Sequence, residues 1–576
     1  VRSGYVARSR IQLALNADNP NTCNLNPLPL PAGCVPLNLF GPAGSITAAQ
    51  GAYLGGITSS IRNEYSLAQV HGVVSGELVS TPWASDAIAF AVGAEYRKYT
   101  GDRDPDNLAL VPGELGGAGG AVLPIHGGYD VKEAFGELIV PLVSDKPFFD
   151  KLELEAGIRY SKYRVDAPGN PRFNATTYKF GATWAPDPAV TFRGNYQHAV
   201  RAPNIFELFG PVATGLTNLA TDPCAGSSNP AAANYNPGLV AGQNLRQACI
   251  NQRAPAAVID GVGIQNPNSG QANATGGGDP NRTPETANTY TLGVVLAPSK
   301  VVPGLTVSVD YYNIKITSAI TAATPDDIIA ACFGTNPIAI TAAQAASAAC
   351  TGILRSTVNG RLSGSPATVP GLPAPLTNLG TLKTDGVDLR IDYKRDIGFA
   401  DLNLNFTGNY TRSSKFKASP TTPKFRECTG YYSANCGFTL GELQPKYAFT
   451  QRTTLGFNSF DVSLLWRHID SMKYEPGLPA LFKGTITGAG AGATAPVVGR
   501  TVDFNKISAY DYFDLSTRFH IGDHIDLTLS AFNIFDKKPP IVGAQAGTTS
   551  ANSGNTFPSV YDVVGRSYSA TARFKF

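Results

Sequence analysis

The sequence predicts an all-β fold, a transmembrane antiparallel β-barrel with short periplasmic turns and long extracellular loops. Three observations carry the prediction: period-two alternation, a regular succession of short and long connections, and a composition poor in charge. The alternation is plainest at the end, where Ser567, Ser569, Thr571, Arg573 and Lys575 fall on one face and Tyr568, Ala570, Ala572, Phe574 and Phe576 on the other. Successive side chains of a strand point to opposite faces, so one face suits lipid and the other water. Charged residues are 15% of the 576, against about 25% in soluble domains, while 60 Gly and 24 Tyr suit tight turns and aromatic girdles. No run approaches the roughly 18 apolar residues that a helical span needs.

In chain order, a first strand is expected near residues 5–17. Alternation recurs over 152–160, 190–201, 305–312, 387–394, 402–410, 513–520 and 525–531, and the last strand is expected over 561–576. Counting all such segments yields about sixteen strands. Short links near 82–85, 144–151, 185–189, 298–304, 395–398, 458–460 and 522–524 alternate with links of roughly ten to eighty residues, the asymmetry of an outer-membrane barrel. A first strand that climbs outward then leaves the last one returning to the periplasm. A soluble sandwich or propeller explains alternation but not the one-sided long loops.

The eight cysteines fall into local pairs, Cys23 with Cys34, Cys224 with Cys249, Cys332 with Cys350 and Cys428 with Cys436, each inside a segment read as loop. Four within-loop disulfides are the economical reading, and they imply an oxidising space. A metal reading lacks ligands, since no C-x-x-C occurs and no His accompanies the pairs at suitable spacing. The run Asp102, Asp104, Asp106, Asn107, read as an outer loop, resembles a calcium loop, but Asn107 stands where Gly is expected and Gly113 where Glu is. No metal or cofactor is therefore expected. A net charge of +3 with no basic stripe argues against nucleic acid. Six scattered histidines, without H-E-x-x-H, G-x-S-x-G or Walker patterns, argue against catalysis.

On 190–201, Arg193, Asn195, Gln197 and Arg201 share the face opposite Phe192, Tyr196 and Val200, so a polar row climbs to a rim where Pro203 ends the strand. Arg201 and Glu207 either meet ligand or fasten the loop 204–285 to the wall, and fastening is the plainer role. Tyr431 and Tyr432, between Cys428 and Cys436, offer rings that stack on a siderophore, sugar or flat cofactor. Lumen-facing charges are mixed: Arg159, Arg390, Arg452 and Arg518 among Glu153, Asp310, Asp388, Asp392 and Asp514. Such a wall suits a plug or structured water better than the selection of one ion.

Residues 193–209 read RGNYQHAVRAPNIFELF, 530–540 read SAFNIFDKKPP, and the end reads YDVVGRSYSATARFKF; CVPLNLFGP stands at 34–42 and GLTVSVDYYNIKI at 304–316. In this order, ending on Phe576, they closely resemble the TonB-dependent receptors, in particular the long-looped alphaproteobacterial type. The resemblance implies a barrel of roughly 22 strands in outer-membrane lipid, plugged by an N-terminal domain whose contact with TonB couples import to the inner-membrane proton gradient. It implies a ligand of siderophore, cobalamin, haem or oligosaccharide class, and a C-terminal strand read by the barrel-assembly machinery, with Phe576 as insertion signal. About sixteen strands and no plug-like region suggest that 1–576 is the C-terminal portion of such a receptor, with the plug and about six strands before Val1. An outward first strand agrees with an even number missing. That portion should show an unpaired sheet edge near 5–17, because open edges are not tolerated in lipid. The rivals are a passive sixteen-strand porin, which predicts a sealed barrel, and a surface protein whose loops serve adhesion or envelope assembly.

Overall fold

The computed structural model describes residues 2–575 apart from 20–21, 24–32, 39, 43, 117–119, 220, 227–239, 268–269, 335, 419–424, 441–442, 479, 487–498 and 543–555. Phe576, read above as the insertion signal, lies outside the described residues.

Fifteen strands form one antiparallel sheet in chain order: β1 (Ile61–Ser80), β2 (Ala87–Pro105), β3 (Ile125–Lys146), β4 (Phe149–Val165), β5 (Arg172–Asp187), β6 (Val190–Arg201), β7 (Glu285–Leu296), β8 (Leu305–Thr321), β9 (Thr377–Asp396), β10 (Asp401–Lys417), β11 (Tyr447–Gly456), β12 (Phe460–Ile469), β13 (Tyr510–Ile521), β14 (Ile525–Phe532) and β15 (Ser567–Phe574). A two-residue strand, Arg426–Glu427, joins β10 and brings the sheet to sixteen, in agreement with the expected count. The strands form because alternation lets one face carry Leu, Ile and aromatic residues and the other hydrogen-bonding groups, while every internal strand is satisfied on both sides. The short turns lie at one end, except that the β4–β5 link, 166–171, is also short and lies at the other, where a link of at least ten residues is expected. Gly304, with a φ of +82°, opens β8 at one of the short turns, and a Cβ there would sit 1.9 Å from the Lys394 carbonyl oxygen, so only glycine fits.

Three expectations need correction. Residues 5–17 do not form the first strand: Arg8–Leu15 is a helix. Ala7, Ile11 and Ala14 stand at i, i+4 and i+7, and this helical spacing puts them on one buried side, with Ala14 packed against Leu37, Tyr53 and Leu54. The helix sits on the β2–β3 connection, where the Arg8 amide donates to the Glu114 carbonyl at 2.8 Å. With that strand gone the long strands number fifteen, so β1 and β15 run the same way, and β1 starts from the long-connection end. The parity argument for an even number of missing strands falls with it. Next, Asp102 and Asp104 lie on β2 and not in a loop; Asp106 caps the helix Asn107–Leu110, accepting from the Ala109 amide at 2.9 Å. Finally, the last strand begins at Ser567, because Tyr561 is drawn into a loop core against the Tyr510 ring at 5.0 Å.

Among the described residues no pairing joins β1 to β15, so the unpaired edges are β1 and β15 and not residues 5–17. Buried apolar side chains concentrate in the long connections. One core, from 219 to 372, packs Leu245, Ile264, Phe333, Ile353 and Leu372 around Cys224–Cys249 and Cys332–Cys350. A second unites three connections through Tyr432, Met472, Ile507, Phe557 and Tyr561. All four expected disulfides are formed, Cys23–Cys34 and Cys428–Cys436 included. On the wall itself one small cluster, Val131, Tyr163 and Ala175 with Tyr99, Tyr129 and Phe173 against it, is buried on the inner face of β2 to β5; elsewhere the outer face is matched to lipid and the inner face is largely polar.

Candidate functional site

The polar face of the sheet is knitted across strands. Arg193 on β6 reaches over β7 to β8, donating to Asp310 at 2.8 and 2.7 Å. It passes Gly293, where a Cβ would lie 1.9 Å from Asp310 Oδ1, so the glycine makes room for the pair. Buried Glu133 accepts from Arg97, from Ser161 and from Arg159 at 3.2 Å. Asp392 accepts from Arg390 and Asn405, both at 2.7 Å, and Asp388 from Asn409 at 2.8 Å. Asp514 meets Arg467 at 3.1 Å, Arg518 binds Asp461, Glu153 meets Lys151 at 3.2 Å and Arg452 donates to Ser463 at 2.9 Å. The charges singled out in the sequence are therefore engaged with neighbouring side chains rather than collected into a ring of one sign.

At the rim, the RAPNIFELF stretch ties a loop. Arg201 ends β6 opposite Glu285, which starts β7. Its Nε donates to Glu285 at 2.6 Å, and its two terminal nitrogens to Glu207 at 2.9 and 2.8 Å. Glu207 is held by a capping box on the helix Ile205–Phe209: the Asn204 amide donates to its carboxylate at 2.7 Å, and the Glu207 amide donates to Asn204 Oδ1 at 2.8 Å. Glu285 also accepts from the Ile320 amide at 2.7 Å. One guanidinium thus gathers both feet of the 202–284 connection. The NIFDKKP stretch acts similarly: Asn533, at φ +49°, ends β14, receives the Lys537 amide at 2.8 Å and donates to Asp562 at 3.2 Å.

Tyr431 and Tyr432 form a short strand that pairs with Met472–Tyr474. Alternate residues of a strand face opposite ways, and here the two rings part. Tyr432 is 0% exposed, its hydroxyl donating to the Phe504 carbonyl at 2.6 Å, so it is a core residue and not an aromatic tip. Tyr431 keeps part of its surface.

Two polar clusters escaped the sequence reading. Arg355, wholly buried, donates to both oxygens of Asp222 at 2.5 and 2.7 Å, to Gln252 at 2.6 Å and to the Gly360 carbonyl at 3.2 Å. The other joins three connections: Arg426 binds Glu475 and, at 3.1 Å, Asp327; Glu475 accepts from Ser433 at 2.6 Å; and Asp326 accepts from Asn435 at 2.8 Å. Burial pushes the Asp326 carboxyl above the ordinary range. Neither cluster has a local signal, since the partners stand up to 133 positions apart.

A wall apolar outside and ion-paired inside, with its compact cores in the connections at one end, defines an outer-membrane type of barrel. A family model described as TonB dependent receptor-like, beta-barrel, matches residues 35–534, and the chain belongs to that family. No curated protein sequence matches it. Similar solved structures include a mutant of the ferric enterobactin receptor PfeA from Pseudomonas aeruginosa in complex with enterobactin, with a TM-score of 0.50, 14% identity, and coverage of 89% of this chain and 55% of that one. The siderophore receptor PirA from Acinetobacter baumannii has a TM-score of 0.47, 13% identity and coverage of 90% and 55%. The FrpB iron transporter from Neisseria meningitidis has a TM-score of 0.45, 12% identity and coverage of 89% and 55%. At these identities the likeness is one of fold, and the chain spans about half the length of these receptors.

Proposed function

We propose that this chain is the C-terminal part of an outer-membrane receptor that takes up a scarce nutrient with energy coupled through TonB. The observation that carries the reading is the family match over 35–534. The unpaired edges β1 and β15 support the view that it is a part, because lipid does not tolerate an open edge. Against the roughly 22 strands of plugged transporters, fifteen leave about seven, an odd number. The last of them would climb to the loop end and place residues 2–60 in the loop that leads into β1. The long connections and their disulfides then lie outside the cell, and the barrel-assembly machinery reads β15. Ligand is captured among the loops, where Tyr431 offers a ring and Arg201 and Glu207 hold the mouth of the largest loop.

Ferric enterobactin is the first ligand to try, since the PfeA receptor of like fold is solved in complex with enterobactin. The test is uptake of labelled ligand by cells that carry the full-length protein, with and without TonB. Uptake that needs both supports import; flux that persists without TonB supports a diffusion channel, and ligand-independent cell binding without flux supports the adhesion reading.

A further inference from the structure

The outer wall of β2 to β5 carries a pattern that import does not use. Outward positions on β4 run Leu152, Leu154, Ala156, Ile158 and Tyr160, then switch to Lys162 and Arg164. The neighbours switch at the same level. Register sets Lys162 beside Lys132, Lys132 beside Tyr96, Asp130 beside both Lys98 and Arg164, and Arg164 beside Arg172. Five cations therefore share one patch, all exposed, on strands paired along both sides. Asp130, which meets Arg164 at 2.9 Å, is the carboxylate on this patch; among the described residues Lys98, Lys132, Lys162 and Arg172 have no ion-pair partner.

The level of the patch follows from strand geometry. At about 3.3 Å per residue and a tilt of roughly 40°, the interval from Leu152 to Tyr160 climbs about 20 Å, close to the ~25 Å apolar band of such barrels. Aromatic residues mark both ends, Trp184 opposite Leu152 and Tyr160 with Tyr96 above. Ile158 and Phe180, 59% and 57% exposed, lie between them on the face that lipid covers. The cations begin one outward position beyond Tyr160, at headgroup level. A groove of about 820 Å³ runs over four of them, lined by Tyr96, Asp130, Lys132, Lys162, Arg164 and Arg172, while Lys98 stands outside it. Glu95 and Glu133 also border it but belong to the opposite face, where Arg97 and Arg159 engage them. The four cations without an ion-pair partner among the described residues, set around the Arg164–Asp130 pair, repel one another, and a multivalent anion relieves that repulsion.

We propose that this patch binds the phosphates of an anionic glycolipid in the outer leaflet, with its acyl chains along Ile158 and Phe180. The choice of leaflet rests on the orientation proposed above; the headgroup level does not. The test uses full-length receptor extracted from the outer membrane, delipidated in non-ionic detergent and examined by native mass spectrometry. The probes are diphosphorylated lipid A, cardiolipin, phosphatidylethanolamine and inorganic phosphate. The expected result is lipid A adducts that weaken at least tenfold in the triple variant Lys132→Glu, Lys162→Glu, Arg172→Glu. They should persist in a control of equal charge change at the short-turn end, Lys151→Glu, Lys300→Glu, Lys394→Glu. Heat-modifiable mobility on gels confirms that both barrels are folded, and Lys132→Gln alone gives an intermediate loss if the reversal does not fold. Equal adducts in triple variant and control, or equal retention of inorganic phosphate, overturn the proposal. Cardiolipin retained in place of lipid A overturns it too, and that outcome points to failure of the assumed orientation.

Discussion

Arg355 shows how much one residue holds in the loop cores. A guanidinium with no exposed surface, held by Asp222, Gln252 and the Gly360 carbonyl, is tolerated because each of its nitrogens finds an acceptor. Arg355→Leu leaves the Asp222 carboxylate buried and unpaired, and should destabilise the 219–372 core by about 3–5 kcal/mol. Faster hydrogen exchange across 240–251, with unchanged exchange in β8, is the check. Adding Asp222→Leu should recover much of the loss; no recovery would mean the pair is not the cause. Arg201 acts at a rim, where it is partly solvated. Arg201→Ala should leave the barrel intact but free the feet of the 202–284 connection, read as faster protease cleavage there with unchanged heat-modifiable mobility.

The junction of Asp326, Asp327, Arg426, Asn435 and Glu475 belongs to the scale of elements, since it joins the helix Pro325–Phe333 to two other connections. Three carboxylates face one guanidinium, and burial raises the Asp326 pKa. A raised acid holds its proton in the folded junction after the unfolded chain has lost it. Its contribution is therefore full below the ordinary aspartate range and is lost as pH rises through the raised value. Loop protection measured by hydrogen exchange should fall as pH climbs through that window, and Asp326→Asn should flatten the dependence. A profile unchanged by the substitution would remove Asp326 from the account. Disulfides work at the same scale: Cys224 and Cys249 changed to Ser should cost about 2–4 kcal/mol, visible as earlier thermal unfolding of the loop core ahead of the barrel.

At the scale of the whole molecule, a wall of fifteen strands with no pairing between β1 and β15 among the described residues and coverage of 55% of the PfeA receptor make one expectation. The polypeptide purified from its native membrane should exceed the 60.5 kDa of these residues by several tens of kilodaltons, the size of a plug and the remaining strands. An intact mass near 60.5 kDa would count against it. Orientation is tested separately: Val358→Cys, in an exposed part of a long connection, should react with an impermeant maleimide on intact cells, and labelling only after lysis would reverse the proposed sidedness.

The wall was legible in the sequence because a strand's two faces meet different solvents, so each side chain reports its own surroundings; Val190–Arg201 matches the expected strand end to end. The cysteine pairs were legible because each closes a local loop. Where alternation and helical spacing compete, as with Ala7, Ile11 and Ala14, the sequence misled, and the correction changed the strand parity. The loop cores were beyond it: Tyr432 is in the interior and Tyr431 is not, and Arg355 meets Asp222 across 133 positions. Periodicity alone thus determined that this chain is a membrane-type β-wall. Only tertiary structure decided which loop residues are buried, which are tied and which face outward, because contacts between distant segments leave no period to read.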